Sequence, residues 1–312
     1  MSRVSKPLNL ARLNDLVLGA FSNVAPSDTL NHLARFLGTW NGSDKMFMVV
    51  QNSLKIVAWL LQFRARMRHR AGLLKVPVSD SATRLAKAGS TIGDSRMLWR
   101  FWGLLPIFTW LISLERHPQA TRNLLTIERL QGWSMLGYYP LEHLFYLSSH
   151  GIIPSSIPSI RSLFTPSAKP IELKPGVLGM WSCRFWALYV ALQFAHLRED
   201  RKLMLLRQRS MRRASGGTGL SSAEQEELKQ RWDAYWSQVL VNLADFPLTI
   251  HWSLEKGLFK NEIWLAVFGL ASSLISFRTA WRATALPSTP PSENKEEAAS
   301  EQEKLAGFDV SS

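Results

Sequence analysis

The sequence predicts an all-α, membrane-associated helical protein with amphipathic helices and one to three hydrophobic membrane segments. Three observations predict it. Apolar side chains recur at helical spacing along residues 46–70, and no stretch shows the period-2 alternation of a strand. Three apolar blocks follow at 97–114, 176–197 and 263–281, each long enough to be a buried helix or a membrane segment. The chain of 312 residues also carries 13 tryptophans and a formal net charge of +13, many of the indoles lying close to arginines. Both residue types favour the membrane–water boundary, where a side chain finds an oily end and a wet end.

Residues 8–40 read as one or two short helices, Leu8–Phe21 and Thr29–Leu37, with Pro26 ending the first and Ser27 or Asp28 capping the second. Arg3, Lys6 and Arg12 among early leucines also match a mitochondrial presequence, although Asp15 and the continuing apolar pattern suit a folded helix. No secretory signal pattern is expected at the amino terminus.

Residues 46–70 form the longest clean pattern. At about 100° per residue, Met46, Val49, Val50, Leu54, Ile56, Val57, Leu60, Leu61, Phe63 and Met67 share one wide face. Gln51, Lys55, Gln62, Arg66 and His69 form a narrow polar strip opposite, and Arg64 and Arg68 fall back toward the apolar side. A broad apolar face ending in Arg64, Arg66, Arg68 and Arg70 suits a helix lying in the headgroup layer of an anionic bilayer. The same periodicity suits the core-facing helix of a bundle.

The stretch 76–96, with Pro77, Gly89 and Gly93, reads as a polar linker. Among the apolar blocks, 101–114 is short for a span and contains Pro106, and 176–197 has Arg184 near its middle. A central arginine costs about 2.5–3.5 kcal/mol on insertion scales, so an interfacial or bundled position competes. Residues 263–281 are the best candidate span. Arg278 lies near its end, and Gly269 and Ser273 place small residues on one face for close helix packing in lipid. Pro140 is expected to interrupt a helix running to Leu147, and five prolines between 154 and 175 punctuate a long loop. The basic run Arg198–Arg213 leads to glycines 216, 217 and 219, and Ser221-Ser222-Ala223-Glu224 is a capping box.

The organisation expected is therefore an N-terminal amphipathic region (1–75), the linker (76–96), a membrane-associated helical region (97–285) and a disordered tail (286–312).

Enzymatic signatures are absent. There is no G-x-S-x-G, Walker or H-E-x-x-H motif, and Glu142 and His143 are adjacent rather than spaced for joint ligation. Cys183, the single cysteine, excludes an intrachain disulfide or a cysteine-rich zinc site. No catalytic residue, cofactor or metal is expected. Nucleic acid is disfavoured as a partner because the aromatics lie within apolar blocks.

Five segments, in the same order over about 250 residues, resemble the peroxisomal biogenesis factor 11 family. They are Asp44-Lys45 with Gln51 and the cationic helix to Arg70, then Ser95-Arg96-Met97-Leu98-Trp99-Arg100, then Tyr139 to Leu147 with Gly151-Ile152. Trp181 to Trp186 and Gly269 to Leu274 complete the set. Asn52 departs from the aromatic that usually follows the glutamine, and the loop at 154–176 looks like an insertion, as in a divergent fungal paralogue.

The resemblance implies a protein of the peroxisomal membrane that elongates the membrane before fission, self-associates and recruits dynamin-type fission machinery. It also implies a metabolite-pore role as an alternative. Carried onto this chain, the lipid-contacting residues are Lys55, Trp59, Arg64, Arg66, Arg68 and Arg70 on an anionic phospholipid surface.

Overall fold

The computed structural model describes residues 17–19, 24–158, 170–214 and 221–285. The expected helix at Leu8–Phe21, apart from residues 17–19, lies outside the described residues, as do glycines 216, 217 and 219 and the tail from 286. The chain divides into two compact units, of which Trp40–Ala283 is the larger. The smaller contains α1 (Asp28–Gly38), started by Ser27, whose Oγ accepts the Leu30 amide at 3.3 Å. Within it His32 Nε2 meets Thr284 Oγ1 at 3.1 Å.

The larger unit is built from long helices. They are α2 (Trp40–Arg70), α3 (Asp80–Trp99), α4 (Leu104–Arg116), α5 (Arg122–Ser149), α6 (Pro175–Ala214), α7 (Ser222–Ser253) and α8 (Ile263–Ala283). A single 3₁₀ turn, Arg100–Gly103, joins α3 to α4. Side-chain caps start three of them: Ser79 for α3, Thr121 for α5, and the Ser221/Glu224 capping box for α7. Two short strands, β1 (Ser156–Ile157) and β2 (Ile171–Glu172), pair antiparallel inside the proline-rich loop.

Two readings from sequence are corrected. The stretch 76–96 is not a linker: from Asp80 it is helix α3, because its glycines serve as packing positions rather than breaks. Pro140 does not interrupt α5, which runs through it, and Pro247 likewise sits inside α7. Proline removes one amide donor and crowds the preceding turn at a cost of about 3 kcal/mol, which the packing of these long helices against neighbours offsets. As the sequence reading has it, the apolar block 176–197 runs directly into the basic run, and the two form one continuous helix, α6.

Side-by-side neighbours follow the order α3, α2, α8, α7, α6, α5, α4. Since α3 continues into α4, the series returns to its start. Every adjacent pair runs antiparallel. Asp44 and Gln62 of α2 meet Arg96 and the Ser79 cap of α3. Gln131 and Ser134 of α5 meet Gln193 and the Phe185 carbonyl of α6, while Trp186 and Phe194 of α6 meet Trp252 and Phe246 of α7.

The interior of the larger unit mixes polar side chains with apolar ones such as Leu114, Leu124, Val190, Leu197 and Leu248, while much of its apolar surface faces outward. Buried positions include Asn52, Glu128, Gln131, Ser134, Glu142, Ser182, Asn242, Thr249, Ser272 and Ser273. Large apolar side chains point outward along most of the helices, with Trp102 69% and Trp133 67% exposed. Buried polar groups and broad exposed apolar surface are the informative departures from the ordinary rule. By length and composition, α2, the rod from α3 through α4 (Asp80–Arg116), and α8 are apolar enough to cross a membrane. The candidate span at 263–281 falls on α8.

Candidate membrane-contacting site

Helix α2 sets Gln51 and Gln62 of its polar strip toward α3, while Lys55, Arg66 and His69 are exposed. Gln51 Oε1 accepts from Arg96 Nη1 at 2.8 Å, and Gln62 Nε2 donates to the Pro77 carbonyl at 2.7 Å. The Lys55 stem lies against Gly89, about 3.5 Å from where a Cβ on that glycine would stand. At Gly93 a Cβ would meet the Gln51 amide, so glycine here leaves that side chain free to hold Arg96. Part of the wide apolar face is left open: Val57, Leu60, Phe63 and Met67 are about half exposed, while Met46, Val49, Val50, Leu54, Ile56 and Leu61 are half-buried.

Helix α8 covers only part of α2. Gly269 approaches Asn52, whose Oδ1 lies 2.7 Å from the position of an added Cβ, and Ser273 is fully buried. Because the two helices run antiparallel, α8 begins about level with Ala58, at 1.5 Å of rise per residue. Beyond that level α2 pairs with α3 alone, and the pair ends in an exposed elbow around Leu73, Leu74, Val76 and Val78.

The predicted lipid-contacting residues divide accordingly. Arg64, Arg66, Arg68 and Arg70 are exposed on the free end of α2. Trp59 is half-buried and stacks on Phe63 with ring centroids 5.4 Å apart. Lys55 is exposed, with its stem lying along Gly89 of α3. Gly269 and Ser273 lie inside the bundle as small packing residues.

Sequence reading missed a second feature, a polar layer at the level of the 3₁₀ turn. Arg96 Nε donates to Asp44 Oδ1 at 2.8 Å. Arg100 pairs with Glu142 at 3.0 Å and donates to the Tyr138 hydroxyl, which donates in turn to Glu142 at 2.6 Å. Ser182 Oγ donates to the Tyr138 carbonyl, and Arg184 donates to the Ser253 carbonyl while its guanidinium lies 4.7 Å from the Trp181 ring centre. His143 stacks on Phe101 at 4.1 Å and is not part of any three-residue group of possible metal ligands among the described residues. The signal was present in the sequence. All five segments singled out earlier contribute to this layer or to the α2–α8 contact beside it.

Such an arrangement, with paired charges and small polar groups inside and apolar side chains outside, defines a helical membrane protein. The model of the peroxisomal biogenesis factor 11 (PEX11) family matches residues 30–281, and the chain belongs to that family. It is also similar to an uncharacterized protein of Schizosaccharomyces pombe, 29% identical over 202 residues, which are 65% of this chain and 78% of the relative. No solved structure matches the chain.

Proposed function

We propose that the protein sits in the peroxisomal membrane and promotes its elongation before fission, with no enzymatic role. The single observation carrying this reading is the outward apolar face of α2, which ends in four exposed arginines past the level where α8 begins. Helix α8, the first part of α2 and the α3–α4 rod anchor the chain across the bilayer. The free end of α2, residues 59–70 with α3 behind it, lies in the headgroup layer. Its apolar side chains widen one leaflet while its guanidinium groups meet anionic phospholipid. Self-association and recruitment of dynamin-type fission machinery belong to the same reading, and nucleic acid does not.

The test uses the full-length chain. Fluorescently tagged protein should mark peroxisomes and lengthen them, and purified protein in anionic proteoliposomes should draw tubules. Leu60→Glu, a charge on the middle of the exposed face, should abolish tubules while leaving the fold intact. Unaltered tubulation by that variant would falsify the mechanism.

The polar layer supports a second reading as a solute pore or channel subunit, since it lines the interior with Arg100, Glu142 and Tyr138. Solute flux through proteoliposomes that is lost in Arg100→Met, with tubulation retained, would favour it.

A further inference from the structure

The elbow where α2 turns into α3 contains an open recess lined by Gln62, Arg66, His69, Arg70, Pro77 and Val78. Its walls are fixed by hydrogen bonds within the turn. Gln62 donates to the Pro77 carbonyl at 2.7 Å and accepts the Ser79 amide at 3.3 Å. His69 Nδ1 donates to the Leu74 carbonyl at 2.9 Å, and Gly72, at a φ of +73°, permits the sharp reversal. Neither Arg66 nor Arg70 has an ion-pair partner among the described residues. They stand one helical turn apart on the recess side. Arg64 and Arg68, offset by about 200° from them, lie on the side of Leu60 and Met67.

Resting on the membrane reading above, we propose that this recess binds a phospholipid whose headgroup is an unsubstituted phosphate monoester. Two guanidinium forks one turn apart match a compact dianion, because each presents paired N–H donors to two phosphate oxygens. The rim decides between a lipid and a soluble phosphate. Pro77 and Val78 line one wall, and Leu73, Leu74 and Val76 project beside it, with Leu73 68% exposed. A lipid sets its phosphate between the arginines and its glycerol and first methylenes on that apolar rim, whereas a free phosphate gains nothing from the rim. A headgroup with a bulky substituent places only one negative charge in the recess and must also fit the substituent against His69.

The experiment uses the full-length chain in nanodiscs of phosphatidylcholine, titrated with dioctanoyl phosphatidic acid and, separately, dioctanoyl phosphatidylserine. The wild-type chain is expected to bind the phosphatidic acid at least tenfold more tightly. Arg66→Gln with Arg70→Gln should lose that preference, while Arg64→Gln with Arg68→Gln, which removes the same charge from the other side, should change it less than threefold. All four positions are exposed, and matching circular dichroism spectra establish that the variants fold. Equal weakening by both pairs, or equal binding of the two lipids, overturns the recess in favour of diffuse attraction. Glycerol 3-phosphate binding as tightly as the lipid overturns the lipid assignment and makes the occupant a soluble phosphate ester. Absence of the preference in the wild-type chain, with its tubulation intact, removes this inference alone, whereas loss of tubulation in Leu60→Glu reads the membrane mechanism separately.

Discussion

Clamping of α2 to α3 is testable through the Asp44–Arg96 pair. Both side chains are nearly buried, at 13% and 15% exposure, and Arg96 contacts both carboxylate oxygens at 2.8 and 3.4 Å while its third nitrogen donates to Gln51. Arg96→Gln leaves the carboxylate with Lys45 alone, at 3.7 Å. Breaking a buried pair by removing one partner costs about 3–5 kcal/mol, and the remaining lysine places this case near the lower end, about 3 kcal/mol. Removing both charges in Asp44→Asn with Arg96→Gln leaves neutral amides that can still hydrogen-bond. The double variant should therefore recover about 2 kcal/mol relative to the sum of the singles, within the usual coupling of contacting residues. Stability is read by detergent-denaturation midpoints of the purified chain. Opening of the α2–α3 pair is read by tryptic cleavage at Arg70 and Lys75, whose rate in the single variant should rise about 100-fold if cleavage tracks the open population. A double variant as unstable as the two singles added together, with coupling under about 0.5 kcal/mol, would show that the two helices are not held by this pair.

Two further outcomes follow from packing and capping. Gly269→Leu drives a side chain into Asn52 and should destabilise the α2–α8 contact by about 1–3 kcal/mol, seen as a lowered midpoint, whereas Gly176→Leu, with open space around it, should not. In the capping box, hydrogen bonds from the Ser221 backbone and then its side chain hold the Glu224 carboxyl below its ordinary range. A depressed carboxylate contributes stability that is present above its unfolded value and lost as pH falls through the folded one. Amide protection at residues 222–225, corrected for the intrinsic slowing of exchange in acid, should therefore fall on acidification below about pH 4.5, the ordinary glutamate range, and Glu224→Gln should remove that pH dependence.

The elements were legible where local chemistry is decisive. Ser27 and Ser221 announce helix starts because a hydroxyl before an amide-rich first turn has one obvious use. Gly89 and Gly93 misled for the opposite reason. A glycine read alone is a helix breaker, yet Gly89 and Gly93 present a small surface to Gln51 and Lys55 across the helix interface, and those neighbours are 34 or more positions away. The arginines at the end of α2 were found because charge at the end of an apolar helix needs no partner to be noticed. Arg100 was not, since its meaning depends on Tyr138 and Glu142 meeting it across a helix interface.

Periodicity located both faces of α2 but carried no sign saying which one faces in. In water the apolar face must be the buried one, and Lys55 and Gln51 would then have to be solvated. Here Gln51 packs on α3 and the Lys55 stem lies along it, while Leu60, Phe63 and Met67 are left outside, an arrangement that costs free energy in water along every helix sharing it. The cost reverses only if the surrounding medium is hydrocarbon, where an exposed leucine is neutral and an unpaired amide or carboxylate is expensive. The same reversal explains why Asp44, Glu142 and Ser272 are inside and Trp102 and Trp133 outside, on helices far apart in the chain. One change of solvent therefore accounts for the packed strip, the polar layer and the outward indoles together, whereas a water-soluble fold would need a separate compensation for each.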